Sequence, residues 1–195
     1  MMTLRQLTPA ATAILALAAM ASCATDTTTT PSGTSSAPEP SISKTATSDS
    51  EKASSAVETL TQDYFATVDK VRQDPGVGGD DLKKYAAGTQ LTAQQGFLDK
   101  ARKLGQRQTG STRLTKVLVQ SINLSAKPAT ATVDACWDVS DVDVLDASGK
   151  SVVSPSRPDT GGTRFTVTQM TATDPATGWR ITNGRDLEKQ ACAAS

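Results

Sequence analysis

The sequence predicts an α+β domain in which helices come first and an antiparallel sheet follows. Before Gly110, large apolar residues recur at spacings of three and four, which is the period of a helix with one buried face. After Gly110 the pattern changes to short runs of β-forming residues separated by turn residues. Because helical and strand patterns do not alternate along the chain, we expect the helices to gather on one face of the sheet.

Three helices are expected in the first half of the domain. The first begins at the capping-box pattern Ser-Ala-Val-Glu of residues 55–58 and ends at Asp-Pro-Gly, residues 74–76. Its apolar stripe consists of Val57, Leu60, Tyr64, Phe65, Val68 and Val71. A short second helix is expected over 80–87, and a third over 91–104, just before Gly105.

The strands are expected in the second half, over 113–124, 129–140, 163–173 and 179–183. Residues 129–140 alternate, and one face of this strand carries Ala131, Val133, Ala135, Trp137 and Val139. Residues 141–153 are typical of a hairpin with its turn at 146–149.

The N-terminal stretch has the composition of an export signal. Residues 1–8 carry one positive charge and no acid, and residues 10–21 form an apolar run. That run is shorter than the roughly 20 residues that cross a bilayer, but it suits a signal-peptide core. The residues Met-Ala-Ser-Cys that end at Cys23 resemble the bacterial lipobox, in which the cysteine takes a diacylglycerol and becomes the mature N-terminus.

The alternative is cleavage after Ala21, which would leave Cys23 as a free thiol. We favour lipidation because it also explains why Cys23 stands between the apolar run and a segment rich in Thr and Ser. This interpretation divides the chain into a signal peptide (1–22), a disordered tether (23–52) and a folded domain (53–195).

The tether is predicted from its lack of apolar residues. Residues 24–50 include one large aliphatic residue, Ile42, and no aromatic residue. Such a segment buries too little apolar area to offset its chain entropy, so we expect disorder. Ser and Thr runs broken by Pro also suit O-glycosylation, which is compatible with a tether.

The composition excludes several classes of function. The 195 residues include 20 Lys and Arg against 20 Asp and Glu, with no concentrated basic run, so nucleic acid is not an expected partner. The chain has no histidine, which removes Ser-His-Asp and Cys-His catalysis and the commonest metal ligand. We therefore expect no catalytic residue, metal or cofactor.

One set of acidic residues resembles a calcium cluster. It lacks the glycine and the terminal glutamate of an EF-hand loop, and its members alternate with valine, so a solvated strand face is expected instead. The set comprises Asp134, Asp138, Asp141, Asp143 and Asp146.

With Cys23 assigned to lipid, Cys136 and Cys192 remain as an even pair in an oxidising compartment. We expect a disulfide between them that closes a loop of about 57 residues and stabilises the fold by about 4 kcal/mol on the chain-entropy model. It would hold the polar stretch 184–192, which would otherwise fray.

Three short motifs and the element order resemble the nuclear transport factor 2-like (SnoaL-like) superfamily. The motifs are TVDACWDVS at 132–140, DASGK at 146–150 and GWRI at 178–181, followed by Cys192. They are similar to motifs of small exported lipoproteins of actinobacteria and their phages, which join a Thr/Ser-rich tether to a cone-shaped domain. The resemblance covers residues 53–192 and implies helices packed on a curved antiparallel sheet. It does not imply an activity, because this fold hosts unrelated functions.

In such a cone, a ligand site would lie between the helices and the concave sheet. Its expected lining is Tyr64, Val68, Tyr85, Trp137, Phe165 and Trp179. The alternative, which we favour, is that these large side chains fill the interior completely, since aromatic residues make up only 4% of the chain. Ketosteroid isomerase, which has this fold, pairs a tyrosine with two aspartates. Tyr64 is placed like that tyrosine, but no positions match the aspartates.

The sequence thus predicts a lipid-anchored, extracytoplasmic binding module that is not an enzyme. Its partners would be the membrane, through the lipid on Cys23, and another protein or macromolecule of the cell envelope. One alternative is an isomerase-like enzyme of the ketosteroid isomerase type that acts on a small molecule. Another is a phage- or prophage-encoded envelope lipoprotein that blocks superinfection.

Replacing the lipobox cysteine tests the anchor. Cys23→Ser should release the protein into the medium or leave it as an uncleaved precursor, because no thiol remains to take the lipid. Membrane fractionation with mass spectrometry of the N-terminus measures this, and Cys192→Ser, which keeps the lipobox, should stay with the membrane. An unmodified wild-type N-terminus at Ser22 would contradict lipidation.

Overall fold

Helices packed on an antiparallel sheet make up the part of the chain that the structure describes. The computed structural model describes residues 47–171, 174–187 and 192. In chain order its elements are α1 (Asp49–Gln73), α2 (Gly88–Lys103), β1 (Arg107–Thr109), β2 (Arg113–Asn123), β3 (Thr130–Asp138), β4 (Asp143–Leu145), β5 (Thr160–Gln169) and β6 (Trp179–Asp186). The predicted α+β class is therefore confirmed. The signal peptide, Cys23 and the tether up to residue 46 lie outside the described residues.

The first helix begins earlier than predicted. Ser48 and Glu51 form the capping box: the Ser48 hydroxyl accepts from the Glu51 amide at 3.2 Å, and the Glu51 carboxylate accepts from the Ser48 amide at 2.7 Å. The hydrogen bond from the Ser48 amide is the main reason why the pKa of Glu51 lies below its usual value. The similar pattern at 55–58 lies inside the helix, where the amides already have helical partners. Residues 49–52 therefore belong to α1 and not to the tether.

The second predicted helix is a short 3₁₀ turn, Asp80–Lys84. The chain cannot continue as a helix because it next joins the sheet, where Ala86 bridges Ile181 in parallel. The Ala87 amide donates to the Ile181 carbonyl and the Ile181 amide donates to the Tyr85 carbonyl, both at 2.9 Å. This segment covers part of the outer edge of β6.

The main sheet has the strand order β2-β3-β5-β6, and each neighbouring pair is antiparallel. One face lies on the helices, where Ala131, Val133 and Ala135 of β3 are buried in the hydrophobic core as their alternation predicted. No helix among the described residues is both long and apolar enough to cross a membrane.

The predicted hairpin over 141–153 is only partly formed. The turn at 146–149 is present, with the Gly149 amide donating to the Asp146 carbonyl, but it leads into a single bridge between Leu145 and Ser151. β4 pairs instead with β1 in a separate two-stranded sheet. The sequence does not predict β1, because three residues are too few to show the alternation of a strand.

β5 begins at Thr160, three residues before its predicted start, and runs through Gly161 and Gly162. Glycine usually weakens a strand, but it also permits close approach. A Cβ at Gly161 would collide with the indole of Trp137, and a Cβ at Gly162 would collide with the Sγ of Cys192. The two glycines therefore leave space for the Trp137 and Cys192 side chains, which lie against β5.

Cys136 and Cys192 meet in the structure as a disulfide. Their Cα atoms are 5.5 Å apart, with 56 residues of sequence separation. Cys136 lies on the face of β3 that points away from the helices, so the bond holds Cys192 at the outer face of the sheet. Residues 188–191 lie outside the described residues.

Reduction of the purified chain should lower its melting temperature by about 10 °C or more, because a loop of this length contributes about 4 kcal/mol. Calorimetry with and without reductant measures the shift. The double variant Cys136→Ala/Cys192→Ala should melt at the lower temperature and ignore the reductant. Recovery of two free thiols by peptide mapping of protein from the cell would contradict the pairing.

Candidate functional site

The six side chains expected to line an internal pocket lie at the interior or its border. Tyr64 and Phe165 are each 2% exposed, with ring centroids 5.7 Å apart in an edge-to-face contact. Val68 and Trp179 belong to the same core, and Tyr85 packs against it while half-buried. The sixth, Trp137, is half-buried over Gly161. None of the six lines either of the two surface clefts described below.

The hydroxyl of Tyr64 faces an amide and not a carboxylate. Gln90 donates to the Tyr64 hydroxyl at 2.5 Å, and burial raises the pKa of Tyr64. No carboxylate within the described ranges hydrogen-bonds to this tyrosine. The tyrosine–aspartate arrangement of ketosteroid isomerase is therefore not assembled in the described part of the chain. Sequence patterns do not reveal Gln90 as the partner because it lies on the other helix.

The expectation that the aspartates form a solvated strand face is wrong for Asp134. Its side chain is buried, with 7% exposure, and Arg164 holds both of its oxygens at 2.6 Å. Gln120 donates a third bond at 2.8 Å. The hydrogen bonds from Arg164 are the main reason why the pKa of Asp134 lies below its usual value.

Three of the other acidic side chains accept local hydrogen bonds, whereas Asp141 is exposed. Asp146 accepts from the Ser148 and Lys150 amides in its turn, and Asp138 accepts from the Ser140 amide. In the described ranges, no group of three His, Cys, Asp or Glu residues is placed to hold a metal ion.

One cleft, of about 190 Å³, lies on the outer face of the sheet. Thr132, Thr166, Asn183 and Arg185 line it together with Arg164. The lining is polar, and the Arg164 guanidinium is already engaged by Asp134. This cleft offers hydrogen-bonding groups but no apolar floor.

A larger cleft, of about 320 Å³, lies between α1 and the start of β2, and we call it the α1–β2 groove. Phe65 and Leu114 supply its apolar floor and are half-buried. One wall consists of α1 residues spaced three or four apart on one face of the helix. The opposite wall consists of the residues just before β2 and at its start. The full lining is Gln62, Phe65, Ala66, Asp69, Lys70, Gln73, Ser111, Thr112 and Leu114.

A buried carboxylate fixes the two walls of the α1–β2 groove. Asp69, which is 6% exposed, accepts from the Thr112 amide at 2.7 Å, from the Thr112 hydroxyl at 2.9 Å and from the Gln108 side chain at 2.7 Å. Gln73, one turn later, donates to the Gly110 carbonyl at 2.7 Å. These bonds join α1 to the chain that leads into β2, so the groove has a defined width.

The groove meets the sheet at Leu114 of β2, which is an edge strand. Within the described ranges, β2 has backbone hydrogen bonds to β3 and to no other segment. No residue of β2 is fully buried, although four of its apolar side chains pack against the core. The opposite edge strand differs, because residues 85–87 bond to β6.

Asp69→Asn should destabilise the domain by about 1–3 kcal/mol, because an amide nitrogen would face a donor in place of an acceptor oxygen. Urea unfolding at pH 7 measures the change. Asp63→Asn, an exposed carboxylate on the same helix, is the matched control and should change stability by less than about 0.5 kcal/mol. Equal effects of the two substitutions would contradict the role assigned to Asp69.

Comparison with known proteins gives little further information. No protein-family model matches the chain, and no curated protein matches it. Among solved structures, the chain is similar to the intermembrane space region of the chloroplast protein ARC6, with 18% identity and a TM-score of 0.49. The match covers 69% of this chain and 95% of that one. A likeness at this level carries no argument about function.

Proposed function

We propose that the protein is a lipid-anchored, extracytoplasmic interaction module of the cell envelope, which binds another macromolecule through the α1–β2 groove and catalyses no reaction. The observation that carries this proposal is the location of the apolar surface. Tyr64, Phe165 and Trp179 are buried in the interior, whereas the groove presents an apolar floor to solvent beside an open strand. An accessible apolar cleft with a polar rim is the usual form of a recognition site.

The anchor rests on the lipobox-like sequence that ends at Cys23. Helix α1 begins at Asp49, which leaves 25 residues between the two. As a flexible coil, a linker of this length would have a root-mean-square span of roughly 25–30 Å. A domain on such a linker would reach partners near the membrane surface but not distant ones.

We also propose that the domain is a nuclear transport factor 2-like cone from an actinobacterium or its phage. The long first helix, the antiparallel sheet and the three motifs support this assignment. Two register shifts in the β2–β3 pair, at 114–116 and 119–121, provide the kind of bulges that curve a sheet.

The environment of Tyr64 supports a binding role over an isomerase-like one. A general acid or base must reach the substrate, and this hydroxyl is buried and bonded to Gln90. The polar groups of the groove are amides, hydroxyls and one lysine, together with a carboxylate whose oxygens are already bonded. Such groups suit recognition.

Site-specific photo-cross-linking tests the proposal. A photo-reactive amino acid at Gln62, on the groove rim, should give a discrete adduct in cells that produce the full chain. Ala66→Arg should abolish the adduct by filling the groove, whereas Ala93→Arg, at an exposed alanine of α2, should leave it unchanged. A stoichiometric complex with a small metabolite in native mass spectrometry, lost in Tyr64→Phe, would overturn the proposal in favour of an internal pocket.

A further inference from the structure

We infer that the α1–β2 groove takes a short extended segment of another polypeptide, which adds to β2 as a strand and carries apolar side chains on one face and acidic side chains on the other. This inference rests on the proposed function and specifies the partner. Three properties of the described residues lead to it: an unpaired backbone edge, a half-covered apolar row and an exposed lysine without an ion pair.

The backbone of β2 needs a partner that supplies amide and carbonyl groups. An edge strand presents a row of unpaired donors and acceptors, which is a template for another strand. In the described ranges β2 pairs only with β3, while the other edge strand, β6, is bonded to residues 85–87. β2 is also the longest strand in the sheet, at 11 residues. The longest strand of the sheet, β2, is therefore also the edge strand that no other described segment pairs with.

The side chains on the inner face of β2 are half-covered. Leu114, Val117, Val119 and Ile122 lie opposite inward-facing residues of β3 and pack against the core, yet each remains partly exposed. α1 covers them from above, but no described strand lies beyond them. A strand added at the usual spacing of about 4.8 Å would place its own inward side chains against this row. Those side chains should be apolar.

The outer face of β2 carries two basic residues near the start of the strand. Arg113 and Lys116 are exposed and lie opposite Asp138 and Cys136 of β3. Arg113 forms an ion pair with Asp138, whereas Lys116 has no ion pair among the described residues. Opposite charges on neighbouring strands are favourable, and like charges are not. The outward side chain of the added segment beside Lys116 should therefore be acidic, whereas Leu118, further along the same face, calls for no charge.

The geometry limits the segment to a few residues. The register shifts at 114–116 and 119–121 leave a regular stretch of four residues, 116–119, between two bulges. The groove stripe of α1 spans residues 62–73, which corresponds to about 16 Å of helix, or about five residues of extended chain. A second copy of the domain would have to align two bulged strands of 11 residues, which these shifts disfavour. A short segment of a different protein fits both limits.

Synthetic peptides test the inference with the purified full chain. The probe is acetyl-Val-Glu-Val-Glu-Val-amide, whose five residues match this limit, and the charge control replaces each Glu by Lys. The acidic peptide should bind at least tenfold more tightly than the basic one, and amide hydrogen exchange should slow in β2 and not in β6. The same acidic peptide, N-methylated at alternate residues so that its edge cannot donate, should lose binding at least tenfold.

Two pairs of protein variants locate the binding. Lys116→Glu should weaken the acidic peptide at least tenfold and strengthen the basic one, while Lys100→Glu on α2 should change neither. Ala66→Arg should block both the peptide and its exchange protection, and Ala93→Arg should not. All four positions are exposed, so the fold should tolerate the substitutions.

Three outcomes would overturn the inference. Equal binding of the N-methylated peptide would show that no strand is added, and absence of binding by the acidic peptide would remove the proposed partner class. A dimer in analytical ultracentrifugation that Lys116→Glu dissociates would identify a second copy as the occupant. If cross-linking at Gln62 still gives a groove-dependent adduct in those cases, the interaction module stands and only the strand partner fails.

Discussion

The burial of one sheet face under two helices is the constraint on which the rest of the domain depends. A helix with its side chains is about 10 Å wide, whereas four strands at about 4.8 Å spacing present a face of roughly 15–20 Å. α2 packs over β6, and α1 places Tyr64 and Val68 in the core above the sheet. This cover ends at β2, whose residues are at best half-buried. The α1–β2 groove is the place where the helical cover stops.

Local patterns in the sequence predict the elements that are long and regular. The α1 stripe and the alternation in β3 identify most of their core residues correctly, because burial of one face imposes a period on the sequence. Four predicted members are only half-buried: Leu60, Phe65, Trp137 and Val139. The capping-box pattern predicts a helix start seven residues too late, since the chain contains Ser-x-x-Glu at 48–51 and again at 55–58. Only the first of these precedes the helix.

Contacts between residues distant in sequence could not be predicted in this way. Asp134 and Arg164 look like unrelated charges until the β3–β5 register sets them opposite each other. The hydrogen bonds that Thr112 donates to Asp69 join residues 43 positions apart, so no local period in the sequence indicates them. The width of the groove depends on these hydrogen bonds. A second stripe on α1, at positions 62, 65, 66, 69, 70 and 73, is the sequence feature that could have indicated a further contact surface.

Amide hydrogen exchange across the sheet tests the central claim, that β2 is an open edge. In the full chain without a partner, about half of the amides in residues 113–123 should exchange rapidly, because they point away from β3. The amides of β3 and the Ile181 amide of β6, which is bonded to Tyr85, should be protected. Protection of the whole of β2 to the level of β3 would show that the edge is covered in the intact protein and would contradict this account.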